Sequence, residues 1–110
     1  MALTDFYPGT TKAFSVTITL NGVAPNITGD TVTLRLKRTR SDADADAVIT
    51  KAANVATSGA TGVALFSLTP AETQIAERLY VYDIVWVLSG GAEYVLESDT
   101  VTVLERVSEA

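Results

Sequence analysis

Apolar and polar residues alternate along two runs in the N-terminal third of the chain. From Lys12 to Leu20, every second residue from Phe14 onward is apolar, and the residues between them are Ser or Thr. From Thr31 to Thr39 the alternation places one Val and two Leu residues on the same side. A period of two directs one side of a strand toward a core and the other toward water. Both runs therefore predict half-buried β-strands.

Five further segments predict strands, and the weakest signal lies between Arg40 and Gly62, where Ala, Asp, Ser and Gly dominate. The segment after Arg40 predicts a mobile loop, although its Ala content could also form a helical turn. Ser89-Gly90-Gly91 predicts a hairpin between the two strands that flank it. The five predicted strands are residues 47–52, 62–68, 79–88, 93–97 and 100–104.

The segment from Thr69 to Glu72 has the signature of a helix start, with Thr at the N-cap, Pro at the first position and Glu at the third. We expect one short helical turn that ends near Glu77. Thr, Val and Ile supply 34 of the 110 residues, and these β-branched side chains favour strands. The sequence thus predicts an all-β fold, an immunoglobulin-like two-sheet antiparallel β-sandwich with one short helical turn.

Length and composition limit the chemistry of the chain. Its 110 residues predict a single domain, with flexible ends at residues 1–11 and 106–110. The chain contains no Cys and no His, which excludes disulfides, metal sites built from Cys and His, and the usual nucleophile–base triads. We expect no cofactor, no metal and no enzymatic activity.

The charge balance and the hydropathy pattern bear on the partners of the chain. The formal net charge is −5, and an acidic protein repels nucleic-acid phosphates. No run of eighteen apolar residues occurs, and the first eleven residues lack the pattern of an export signal. We therefore expect neither nucleic-acid binding nor a membrane span.

Three aspartates spaced by two residues, at Asp42, Asp44 and Asp46, resemble the opening of a calcium-binding loop. The sixth position of such a loop requires Gly and the twelfth a bidentate Glu, whereas this chain has Ala47 and Ala53 there. A solvated acidic loop is the favoured interpretation, and a metal site is the alternative.

Two glutamates, Glu93 and Glu97, are an example of a possible catalytic carboxylate pair. On an ideal strand they lie on the same side, about 13 Å apart. Acid–base cleavage of a glycoside needs a shorter separation. This pair therefore does not support an enzymatic function.

Four of the eight basic residues fall within six positions, at Arg35, Lys37, Arg38 and Arg40. On a strand, Arg35 and Lys37 share the outward side, and the aspartates that follow could neutralise them. No aromatic residue interrupts the cluster to stack on bases. We favour a solvent-exposed face or salt bridges between subunits, with contact to an anionic partner as the alternative.

The segment 79–88 is the most apolar in the chain. If the side with its two Tyr residues and Trp86 faces the core, the opposite side is more apolar than a solvent-exposed surface usually is. Another segment of the chain could cover that side, or it could bind a second subunit or a partner protein. The candidate interface consists of Val81, Asp83, Val85 and Val87.

A further set of positions follows the order of a known family: Gly22 and Pro25, Ile27-Thr28-Gly29, Gly62 with Leu68-Thr69, Glu72, and Tyr80 with Tyr82. On these positions, the chain resembles the small β-sandwich domains of structural proteins from tailed bacteriophages and prophages, such as the N-terminal domain of baseplate upper proteins. The resemblance covers about residues 9–104.

The resemblance implies a structural protein of the virion, assembled in the bacterial host cytoplasm, that docks onto copies of itself or onto other phage structural proteins. We expect residues 79–88 or the Gly90-Gly91 hairpin to offer a free sheet edge for strand addition, and a homo-oligomer is one possible product. The alternative is a β-sandwich module that binds carbohydrates or cell surfaces, which exposed Tyr7 and Tyr94 side chains would favour.

Overall fold

The alternating segments form six antiparallel strands in a computed structural model that describes residues 3–106. The strands are β1 (Lys12–Thr17), β2 (Thr31–Lys37), β3 (Ile49–Ala52), β4 (Val63–Leu68), β5 (Leu79–Val87) and β6 (Glu93–Thr102). Strands β1 and β4 form one sheet, and the other sheet has the order β3-β2-β5-β6. The predicted all-β, immunoglobulin-like sandwich is confirmed.

The core lies between the two sheets. Alternate residues of β5 point into it, and Tyr80, Tyr82, Ile84 and Trp86 are all buried, as the alternation predicts. The second sheet contributes Phe66 and its neighbours at every second position of β4. Since apolar area removed from water stabilises a fold by about 25 cal/mol per Å², this shared core is the main source of stability.

The two sheets meet at the end of β3. The backbone N–H of Asn54 donates to the carbonyl of Leu65 at 2.7 Å, and the N–H of Leu65 donates back to Asn54 at 3.0 Å. At the opposite margin, Phe6 forms a parallel bridge with Val103 on the chain that follows β6. Both Leu3 and Phe6 belong to the core, so the segment from residue 3 onward packs against the sandwich. Residues 1–2 and 107–110 of the predicted ends lie outside the described residues.

The predicted helix start forms its cap but only one turn. The N–H of Thr69 donates to the Glu72 carboxylate at 2.8 Å, and the N–H of Glu72 donates to the Thr69 hydroxyl at 3.3 Å, which is the reciprocal capping box. A single helical hydrogen bond follows, from the N–H of Thr73 to the Thr69 carbonyl. The expected extension to Glu77 is wrong, because residues 74–77 are not helical and lead into β5. The Tyr80 hydroxyl donates to the Ala76 carbonyl of this segment at 2.7 Å.

The segment between β2 and β4 contains two short 3-10 turns, at Asp44–Asp46 and Gly59–Thr61. The first forms in the Ala-rich segment after Arg40, for which a helical turn was the alternative to a mobile loop. No helix within residues 3–106 has both the length and the apolar character needed to cross a membrane.

Residues 93–102 form one strand, whereas the sequence predicts two. The pairing of β5 with β6 shifts between Ile84 and Val85, and Leu96 is the extra residue of a β-bulge. The bulge reverses which residues point outward. Glu93 pairs with outward-facing Val87, whereas Glu97 pairs with inward-facing Ile84. The expectation that Glu93 and Glu97 lie on the same side is therefore wrong.

An ion pair connects edge strand β3 to the capped turn. The Nζ atom of Lys51 lies 3.0 Å from Oε2 of Glu72, and the Glu72 carboxylate also accepts the hydrogen bond from the N–H of Thr69. The Thr69 N–H, followed by the Lys51 ammonium, holds the pKa of Glu72 below its ordinary value of 4.5. The pair anchors the turn to the sheet.

This shift predicts how stability changes in acid. Unfolded chains protonate Glu72 near pH 4.5 and folded chains only at lower pH, so the contribution of Glu72 is complete above pH 4.5 and is lost as the pH falls further. We expect Glu72→Gln to destabilise the protein at pH 7 and much less at pH 3, measured by urea unfolding at both values. Glu105→Gln, an exposed change outside the pair, is the control. An equal loss at both pH values would contradict the account.

Candidate protein-binding face

The four predicted interface residues all point away from the core. They lie on β5 in the middle of the four-stranded sheet, flanked by β2 and β6. We call this side of the sheet the outer face. Its side chains are Thr31, Thr33, Arg35 and Lys37 on β2, then Val81, Asp83, Val85 and Val87 on β5, and Glu93, Val95, Ser98 and Thr100 on β6.

The middle of the outer face is apolar. Val85 lies between Thr33 on β2 and Val95 on β6, and only 6% of Val85 is exposed. Val95, by contrast, is 63% exposed. Val81 and Val87 are half-buried. The most exposed apolar side chain of this face is therefore Val95, which the sequence analysis did not select.

One end of the outer face is basic. The Nζ atom of Lys37 lies 2.7 Å from Oδ1 of Asp44, and Nε of Arg35 lies 3.9 Å from Oδ2 of the same residue. The hydrogen bond from Lys37, together with the charge of Arg35, lowers the pKa of Asp44 below its ordinary range. The expectation that the downstream aspartates neutralise the basic cluster is thus confirmed for these two cations.

A third basic side chain, Arg40, crosses the sheet. Arg40 follows β2, and its Nη1 atom donates to the Ser98 hydroxyl of β6 at 3.1 Å. Since β5 lies between β2 and β6, the Arg40 side chain passes over the outward side of β5. Within residues 3–106, no carboxylate lies within ion-pair distance of Arg40. Its charge therefore remains available on the outer face.

Asp83 lies in a recess beneath these cations. The recess has a volume of about 110 Å³ and is lined by Arg35, Arg40, Val81 and Ser98 among others. The Oδ1 atom of Asp83 is buried and accepts no hydrogen bond from the described part of the chain. A buried carboxylate oxygen without a donor is unfavourable, and such groups are rare unless water or a ligand completes them. The recess is thus a point where the outer face lacks a donor.

The four-stranded sheet has β6 at one edge and β3 at the other, and the expectation that residues 79–88 supply a free edge is wrong because β5 is paired on both sides. In the part of the chain that the structure describes, the outer edge of β6 is paired at its C-terminal end, where the N–H of Phe6 donates to the Thr102 carbonyl at 3.3 Å and Phe6 bridges to Val103. The Gly90-Gly91 hairpin leads into this strand, with the N–H of Gly91 donating to the Leu88 carbonyl at 2.9 Å. Close to that hairpin, Tyr94 is 48% exposed.

Carboxylates point inward along this edge strand. The Tyr82 hydroxyl donates to Oε2 of Glu97 at 2.7 Å. Burial raises the pKa of Tyr82, and the hydrogen bond to Glu97 and the charge of that residue raise it further. Inward-pointing charges on an edge strand discourage indiscriminate strand pairing. The inward carboxylates therefore favour the outer face over the edge of β6 as the surface for a specific contact.

The acidic loop is organised by its neighbours. Asp42 accepts a hydrogen bond from the Thr39 hydroxyl at 2.8 Å, which lowers the pKa of Asp42, and Asp44 is bound to Lys37. Within residues 3–106, no three acidic side chains converge on a point that could hold a metal ion. The loop positions the basic end of the outer face.

A second concavity was not found from the sequence. The rings of Phe14 and Phe66 stack with centroids 4.8 Å apart, and they line a cavity of about 640 Å³. Residues of β3, including Lys51 and Ala52, form part of its wall. The alternation marks Phe14 and Phe66 as inward-facing, but only the β1–β4 register places the two rings beside each other.

Comparisons with known proteins give no family for this chain. No protein-family model matches it, and no curated protein sequence matches it.

Proposed function

We propose that the chain is a non-enzymatic structural protein of a phage or prophage particle, a tail or baseplate module that acts by docking onto other protein surfaces. The observation that carries the docking role is the outer face, where exposed Val95 adjoins a basic end and a recess with an unpartnered Asp83 oxygen. Protein interfaces combine apolar contact points with charged and polar residues around them. The sequence resemblance to virion β-sandwich domains supports a phage or prophage particle as the assembly that contains the chain.

Virion incorporation tests the proposal. Particles are purified from the phage or lysogen whose genome encodes this chain, with the gene deleted and supplied again as a variant. We expect peptides of the wild-type chain in purified particles and loss of assembled particles on deletion. Absence of the chain from the particles, with normal assembly after deletion, would contradict the virion role.

Two lysine substitutions test the docking face in the same assay. Val95→Lys places a charge at the most exposed apolar point of the outer face and should prevent incorporation. Val23→Lys is the matched control, because Val23 is 69% exposed in the turn between β1 and β2, away from this face. We expect Val23→Lys to assemble normally. If the two folded variants are incorporated into particles to the same extent, the outer face is not the docking surface.

The second candidate function is a module that binds carbohydrates or cell surfaces. Tyr7 and Tyr94 are each 48% exposed, and the Tyr94 ring lies 5.4 Å from the Trp86 ring, which holds it in a defined orientation. A supported, exposed aromatic ring can stack on the apolar side of a sugar. A glycan array tests this function. Binding that is abolished by Tyr94→Ala would support it, and an array without signal would count against it.

A further inference from the structure

The outer face is organised in rows that run across the strands. The strand register places Arg35, Asp83 and Ser98 in one row, and the Arg40 side chain reaches Ser98 on the same row. Arg35 is paired with Asp44, so Arg40 supplies the unpaired positive charge of this row, which we call the basic row. Two residues farther along β5 lies the central row, which consists of Thr33, Val85 and Val95.

Another two residues along lies the acidic row, which consists of Thr31, Val87 and Glu93. Glu93 is exposed, and it carries the charge of this row. The basic and acidic rows lie about 7 Å on either side of the uncharged central row, because a strand rises about 3.3 Å per residue. On β6, Arg40 at Ser98 and Glu93 thus place opposite unpaired charges on either side of exposed Val95.

We propose that a second copy of this chain binds the outer face, with the two faces packed about a twofold axis that runs along the central row. This inference rests on the proposed docking role of the face. Such a rotation reverses the strand direction and keeps each strand opposite its own copy, so β6 faces β6. The basic row of each copy then faces the acidic row of the other.

The strongest contact in this arrangement joins Arg40 to Glu93 of the second copy. Arg40 is bound to Ser98 on the basic row of β6, and Glu93 lies on the acidic row of the same strand. Packed sheets lie about 10 Å apart, and an Arg and a Glu side chain together span that distance. The twofold axis produces the contact twice. Neither residue has a carboxylate or cation bound to it within the described chain.

The same rotation brings Thr31 of the second copy opposite Arg35. The Oδ1 atom of Asp83 is already buried within one copy, so the dimer contact does not depend on it. Three strands of about seven residues and the four-residue β3, about 4.8 Å apart, bury about 800 Å² over both copies. That area is below the roughly 1,200 Å² of a stable specific interface, so we expect a weak, reversible dimer.

Charge reversal tests the pairing. The dissociation constant of the dimer is measured by sedimentation equilibrium for the wild type, Arg40→Glu, Glu93→Arg and the double variant. We expect each single reversal to weaken the dimer by about tenfold or more, because it places like charges opposite each other twice, and the double variant to recover nearly wild-type affinity. Arg38→Glu and Glu105→Arg change the net charge equally and lie outside the rows, and we expect them to leave the dimer intact. Circular dichroism confirms that each variant is folded.

Three results would overturn the inference: a wild-type chain that is monomeric at every concentration, a dimer insensitive to the single reversals, or a double variant without recovery. None of them bears on incorporation into particles. A monomer that is nevertheless found in particles would refute the dimer and leave the virion role standing. A charge-reversible dimer that is absent from particles would support this inference and refute the virion role.

Discussion

Gly62→Ala is expected to lower the free energy of unfolding by about 3 kcal/mol, from the left-handed backbone and a backbone clash together. Gly62 has φ +78°, and a Cβ atom at this position would lie 2.8 Å from the carbonyl oxygen of Ile18. Its own carbonyl accepts the N–H of Ile18 at 2.8 Å, so the two backbones are held together and cannot separate to relieve the contact. Chemical denaturation of the variant measures the loss.

Gly22 provides a matched control, because it also has φ +78° but no atom lies within 4 Å of an added Cβ. Gly22→Ala should therefore show the backbone effect alone, about 1 kcal/mol. If the two variants lose the same stability, the close approach at Gly62 has no energetic consequence and this part of the account is wrong.

Thr73→Val is expected to destabilise the protein by about 3 kcal/mol, because it leaves two backbone groups of Thr10 without partners. Thr73 is fully buried, and its hydroxyl accepts the N–H of Thr10 at 3.0 Å and donates to the Thr10 carbonyl at 2.6 Å. Valine has nearly the same shape and fills the site without a hydroxyl. The variant thus isolates the hydrogen bonds from the packing.

Thr73→Ser is the complementary variant, because it keeps the hydroxyl and removes only a methyl group. We expect it to lose about 1 kcal/mol, the usual effect of removing one buried carbon. Thermal unfolding followed by circular dichroism ranks the three proteins. A Thr73→Ser variant less stable than Thr73→Val would show that the methyl group matters more than the two hydrogen bonds.

The strands could be predicted because their signal is local. The alternation in β1, β2 and β5 follows directly from one buried and one outward side. The capping box at Thr69 and Glu72 was also visible, since its two hydrogen bonds join residues three apart. The residues Thr69–Glu77 alone did not indicate that the turn stops at Thr73, whose hydroxyl is bound to the backbone of Thr10, 63 residues away.

The bulge at Leu96 shows where local patterns fail. No residue type within 93–102 indicates a bulge, because the extra residue is defined only by how β6 pairs with β5. A single inserted residue moves Glu97 to the inward side, beside Tyr82, and leaves Val95 on the outward side. The prediction of two separate strands therefore did not show on which side Glu97 and Val95 lie.

The candidate site could be predicted only in part, because alternation is a local signal and the other features of the site depend on distant residues. Alternation alone places Val81, Asp83, Val85 and Val87 on one side of β5. It cannot show that Arg40 crosses the sheet to Ser98, because these residues are 58 positions apart. The burial of Val85 and the unpartnered oxygen of Asp83 also depend on neighbours from other strands.

The outer face is the central claim of this account, and concentration-dependent NMR of the unmodified chain tests it most directly. Amide resonances are assigned and followed from micromolar to millimolar protein. We predict that the shifts concentrate on the three rows of the outer face, with Val95 and Glu93 among the largest, while β1 and β4 remain unchanged. Shifts confined to β1 and β4, or none at any concentration, would contradict self-association through this face.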